Sequence, residues 1–321
     1  MIGAVIRYFR REPACLVAYA VLAIVLALWL VLTPSLSIDS LTNTISQKLP
    51  LAMVAIGATI VIVTRGIDLS VGGTLALVNV IIARGSELDG NVIVWTGVAI
   101  AVALLAGLAN GVFVAYFKLP ALIVTLATLS VLVGVALYIL PTPGGQVPEW
   151  FSDIPILLIG PVPLALVLLV VIPLAIWLPI RRTRLGTALY AVGNDEAAAF
   201  ASGVKTKRVV ASAYVMAAFF AALGGIFVTM ITVSGDPNIG APYTLNSIAA
   251  AVLGGALLTG GRGTIAGAIA GAFTLAFITN LLFALGVSSY WQYVVTGGLL
   301  IAALAIPYLL GKLRVRGAAT T

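Results

Sequence analysis

The chain has 321 residues, 62% of them hydrophobic and 8% charged, with a net charge of +7 and no histidine. That balance lies far outside the range of soluble domains. A lone cysteine, Cys15, excludes internal disulfides and thiolate metal clusters, and the lack of alternating strand patterns excludes an outer-membrane barrel.

Apolar runs of about 20 residues, the length that crosses a bilayer core as a helix, recur from Ala14 to Leu310. Ten hydrophobic segments are expected, at 14–33, 48–64, 70–84, 92–117, 120–140, 160–179, 208–233, 246–259, 264–285 and 290–310. The first follows Arg7, Arg10 and Arg11; it is too long for a signal-peptide core and is read as a span. With a cytoplasmic N-terminus, all 17 Lys and Arg residues except Lys48 and Arg84 fall on the inner side, as the positive-inside rule requires. This distribution explains the basic balance without nucleic acid. Both termini are then expected in the cytoplasm.

Five segments lie on each side of the loop from Pro141 to Gly160, so any structural repeat would be inverted. The segments at 70–84 and 246–259 are short for a full span and adjoin turn-rich sequence, which suits either a pathway or tight packing. Gly107 with Gly111, and Gly263 with Gly267 and Gly271, have the spacing that lets helices approach closely.

The one substantial polar island runs from Arg181 to Arg208, with three basic residues at each end. Between them, Asn194 is expected to cap a helix of about two turns, with Asp195 and Glu196 at its positive end and Gly203 past its last residue. So short a helix is unstable alone in water. Held at a membrane surface by basic anchors, it suits docking into another protein. Gly193, Asn194, Asp195, Glu196, Ala198, Ser202 and Gly203 are the candidate docking residues.

No charged residue sits near the centre of any segment, so an intramembrane proton relay is missing. A Walker A motif is missing too; Gly203-Val204-Lys205-Thr206 has the wrong spacing. Either a partner supplies energy or the chain is a passive channel or secondary carrier. A membrane-embedded enzyme would need a histidine, a metal cluster or a carboxylate pair, and none is evident; no catalytic residue is expected. The spans offer amides and hydroxyls instead, which suit a neutral, hydroxyl-rich solute. Asn79, Asn110, Thr125 and Asn246 are pathway candidates, with interhelical hydrogen bonding as the plainer alternative. Asp68 with Ser70 could cap the following segment or act as a gate at its inner end.

Several stretches, in order, match a known family. Gly66-Ile67-Asp68-Leu69-Ser70-Val71-Gly72 resembles the signature of permease subunits of ribose-type sugar ABC importers. Lys118-Leu119-Pro120 through Leu126 is similar to a family segment that opens a span. Arg184-Leu185-Gly186, Ala191-Val192-Gly193-Asn194 and Ser202-Gly203-Val204 resemble its cytoplasmic coupling loop, and Gly254-Gly255 with Gly260-Gly261-Arg262-Gly263 its late glycine-rich region. Two places depart from it: Thr64-Arg65-Gly66 replaces a Gly-Gly lead-in, and Thr244-Leu245-Asn246-Ser247 stands where Glu-Leu-Asp-Ala is frequent.

The resemblance implies one permease domain over 1–321 with a coupling loop at 180–208, in the bacterial inner membrane. It implies an all-α, vitamin-B12-importer-like (type II) fold with about ten helices. It also implies a second permease, identical or different, two cytoplasmic ATPase subunits that carry ATP and Mg, and a periplasmic or lipid-anchored sugar-binding protein. The chain itself would bind no cofactor. A neutral monosaccharide or related polyol is the expected solute; a nucleoside or amino acid is the alternative within the class.

Overall fold

The computed structural model describes residues 13–32, 38–160 and 162–288, with scattered positions from 290 to 301. Within these, apolar sequence becomes helix almost throughout, because in hydrocarbon each backbone group must find its partner inside its own segment. The long helices are α1 (Pro13–Leu32), α2 (Ile38–Val63), α3 (Val71–Asp89), α4 (Val92–Ala115) and α5 (Ala121–Ile139). After a short helix α6 (Glu149–Asp153) come a two-residue strand pair, β1 (Leu158–Ile159) and β2 (Val162–Pro163), and then α7 (Leu164–Arg182). The polar island folds into α8 (Arg184–Asn194) and α9 (Glu196–Ala201). The second half continues with α10 (Thr206–Thr232), α11 (Ala241–Leu253) and α12 (Ile265–Ala284). Among the described residues, eight helices are long and apolar enough to cross a membrane. Most of the expected segment at 290–310 lies outside the described residues.

Helix α2 begins ten residues before the apolar run, at Ile38, since Ser46 anchors its polar end by donating to the Pro155 carbonyl (2.8 Å). Helix α3 runs on through Gly85 to Asp89, past the expected end at 84, with Arg84 and Glu87 paired one turn apart. It stops at Gly90, whose φ of 73° only a glycine adopts without strain. Helix α11 starts at Ala241, earlier than expected, and has 13 residues, about 20 Å, too short for a bilayer core.

The core is built on α10, which packs chiefly against α4, α2 and α3. Of the α2 and α3 spans 83% is buried, against 17% of α7, so α2 and α3 are interior while α1, α4, α5 and α7 present apolar flanks outward. Gly107 and Gly111 of α4 lie against the α10 backbone: a Cβ at Gly107 would stand 2.7 Å from the Tyr214 carbonyl oxygen, and one at Gly111 2.7 Å from that of Ala211. Gly267 and Gly271 similarly press α12 onto α11 at Gly254 and Ala250. Gly263 does not continue that stripe. It precedes α12 in the loop, with φ of 153°, and the helix is capped instead by Thr264, which accepts from the Gly267 amide.

Candidate functional site

The island is more structured than a loop with one short helix. Thr183 caps α8, and the buried Gly186, Leu189, Val192 and Gly193 seat that helix on the body of the protein. Contrary to expectation, Asn194 does not cap α9; it is the last residue of α8, its side chain donating back to the Tyr190 carbonyl. Asp195 takes the capping role, its carboxylate accepting from the Ala198 amide at 2.9 Å. Extended φ and ψ at Asp195 let the chain turn between the two helices.

The far end of α9 closes as a Schellman motif. The Gly203 amide donates to the Phe200 carbonyl and the Val204 amide to that of Ala199, with Gly203 at φ of 84°. Between the caps, Ala199 is buried, while Asn194, Asp195, Glu196, Ala198, Ser202 and Gly203 are exposed. Gly193 is the exception among the docking candidates. It packs against the Val63 carbonyl and the Gly261 amide, where no side chain fits, so it faces the protein's own body.

Phe200 was not singled out from sequence, yet it is 71% exposed on α9. It borders a cavity of about 600 Å³ lined also by Tyr116, Lys118, Lys205 and Lys207. Lys118 reaches Glu196 across this groove at 3.3 Å, and Lys207 lies over the Tyr116 ring. An apolar tip ringed by cations is what α9 offers outward.

A second cluster sits where the starts of α3 and α5 meet the C-terminal part of α4. Asp68 accepts from both the amide (2.8 Å) and hydroxyl (2.6 Å) of Ser70. Asn110 donates to the Ser70 hydroxyl at 2.9 Å and accepts from Thr128 at 2.6 Å. Thr125, also buried, donates to Ala121 one turn back. Burial pushes the Asp68 carboxyl up to about 6, against the pull of the two Ser70 hydrogen bonds. The four side chains Asp68, Ser70, Asn110 and Thr128 form a linear relay of hydrogen bonds linking three elements.

Asn79 forms its own knot. Its amide donates to Thr229 (3.0 Å) and to the Ser234 carbonyl (2.9 Å) and accepts from the Asp236 amide (2.7 Å). Asn79 and Asn110 both have 0% exposure. Within this chain each holds neighbouring elements together, as a buried amide is costly unless its partners are protein, which fits the interhelical alternative. Asn246 differs, being only half-buried on the short α11. Leucine at 79 should therefore cost about 2 kcal/mol of stability, three membrane hydrogen bonds at roughly 0.6 each. Thermal unfolding in detergent checks this. Transport per folded molecule should stay near wild type for Asn79→Leu, and a selective transport loss would restore the route.

The model of a family described as branched-chain amino acid transport system, permease component, matches residues 40–304. The ribose import permease of Escherichia coli K12 is 35% identical over 312 residues, 94% of this chain and 96% of that protein. The ribose import permease of Bacillus subtilis is 34% identical over 83% of this chain and 84% of its own length. A galactose/methyl galactoside import permease of Haemophilus influenzae is 30% identical over 91% and 93%. Among solved structures no match is found.

Proposed function

Because the chain belongs to the family of branched-chain amino acid transport system permease components, we propose that it is the membrane-spanning permease of an ATP-driven importer for a neutral monosaccharide or related polyol. The curated relatives named for ribose and galactose import support the solute class. The lack of charge at the centre of the spans supports it as well, since a charged solute would need a buried counter-charge.

The observation that carries the coupling half of this reading is α9. A six-residue helix capped at both ends buries only Ala199 against the body and holds an aromatic side chain outward. Its occupant is a cytoplasmic ATPase subunit that carries ATP and Mg; a second permease, identical or different, and an external sugar-binding protein complete the assembly. The partition of Lys and Arg supports an inner-membrane orientation with both termini and the 180–208 segment in the cytoplasm. Asn246 on α11 is the pathway candidate that retains access to solvent or solute.

Proteoliposomes provide the test. Uptake of labelled sugar should need this chain, the ATPase, the loaded binding protein and internal ATP together. Sugar flux through the chain alone, indifferent to ATP, would establish a passive channel instead.

A further inference from the structure

Arg65 stands where the resemblance leads one to find a small residue, and its backbone sits in the left-handed region at φ of 64°. For a residue with a Cβ that conformation is uncommon and costs energy. Its side chain accounts for the choice. The guanidinium Nε donates to the Gly193 carbonyl at 2.7 Å and shares its hydrogen with the Thr259 carbonyl at 2.9 Å, while Nη2 donates to the Asn194 carbonyl. Gly193 and Asn194 end α8, so one cation satisfies carbonyls at the negative pole of that helix. Thr259 lies in the loop between α11 and α12.

The contact is a three-way junction. The Gly261 amide donates to the Val63 carbonyl at 2.9 Å, just before Arg65, and Gly260 and Gly261 leave room for the Arg65 stem and the Asn194 side chain. One residue past Asn194, Asp195 caps α9. Three residues past Arg65, Asp68 begins the relay through Ser70 and Asn110 to Thr128.

We propose that Arg65 is a positioning residue that couples the docking helix α9 to the Asp68–Ser70–Asn110–Thr128 relay, so that displacement of α9 by its partner is delivered to the start of α3. The planar guanidinium suits this junction because its Nε and Nη2 reach the two segments from separate, rigidly oriented donors, which a compact ammonium on a flexible stem does not reproduce. The coupling role rests on the proposed ATPase reading, whereas the junction itself stands on geometry.

The test uses the whole chain. Arg65→Gly removes the guanidinium while leaving a residue that adopts φ of 64° freely, so the backbone keeps its path. In detergent without partners, hydrogen exchange should quicken about tenfold both at 193–204 and at 66–74, the size expected for losing charge-assisted bonds. Faster exchange confined to 193–204 would overturn the link to the relay, and unchanged exchange in both would overturn the junction. In the assembled importer, Arg65→Gly should still bind the ATPase but lose about tenfold of the stimulation of ATP hydrolysis by loaded binding protein. Arg65→Lys should recover only part of it. Full stimulation in Arg65→Gly, or loss of ATPase binding itself, would overturn the positioning role. Failure of the wild-type chain to bind any ATPase would count against the proposed function alone, and the exchange measurement would still decide the junction.

Discussion

Replacing Gly193 with valine is expected to abolish recovery of folded protein. At this position a Cβ would run into the Val63 carbonyl oxygen on one side and the Gly261 amide on the other, and both are backbone. Side chains swing away from an intruding methyl group, but a helix end and a loop cannot do so without moving their elements. Overpacking against side chains typically costs 1–3 kcal/mol. Here the cost should exceed about 3 kcal/mol, a large share of the 5–15 kcal/mol that holds a typical protein folded. Folded yield by size-exclusion chromatography checks this, with Ala197→Val on the exposed side of α9 as the control, expected within about 0.5 kcal/mol of wild type. A well-folded Gly193→Val protein would mean that α8 does not seat on Val63 as described.

The second large effect concerns Phe200. Substitution with glutamate should leave the unfolding temperature unchanged, because the ring is 71% exposed and supports little of the chain's own packing. Association with the ATPase should weaken by about thirtyfold or more, the loss typical when an aromatic anchor of at least 2 kcal/mol is removed from an interface. Lys118, Lys205 and Lys207 around it predict a partner with an acidic rim, so affinity should also fall as salt rises. Both quantities come from one titration in detergent at two ionic strengths. Wild-type affinity in Phe200→Glu would remove the ring from the docking surface and leave α9 without an anchor.

The spans were legible because apolar length is a one-dimensional signal, and so were the glycine seams of α4 and α12. The short helix α9 was legible from Asp195, Glu196 and Gly203, although the cap fell one residue later than expected. Asn194 and Asp195 have nearly the same capping preference, and the choice was made by α8, which absorbs Asn194 as its last turn. Helix α8 itself was not seen, since its apolar face is confined to a few positions such as Leu189 and Val192 within a polar stretch. The hydrogen-bond partners of Asn79 and Asn110 were not legible either: an asparagine in an apolar run looks alike whether it meets solute or a neighbouring helix. Arg65 was visible only as a departure. Its acceptors are main-chain carbonyls 128 and 194 residues away, and no pattern of side chains announces a carbonyl.

The seam between α4 and α10 limits how this molecule can change shape. Helices that meet through interlocked side chains can slide, each rotamer giving way in turn. Gly107 and Gly111 instead bring one main chain against another, with 2.7 Å left for a methyl that is not there. A slide by one turn would carry the Cβ of Ala103 toward the Tyr214 carbonyl or that of Ala115 toward the Ala211 carbonyl, so the seam favours movement of the two helices together. Relative motion during a transport cycle is then left to segments outside this seam, such as residues 64–70 before α3 and 254–264 between α11 and α12. Those two segments meet each other at the guanidinium of Arg65, which donates to the Thr259 carbonyl.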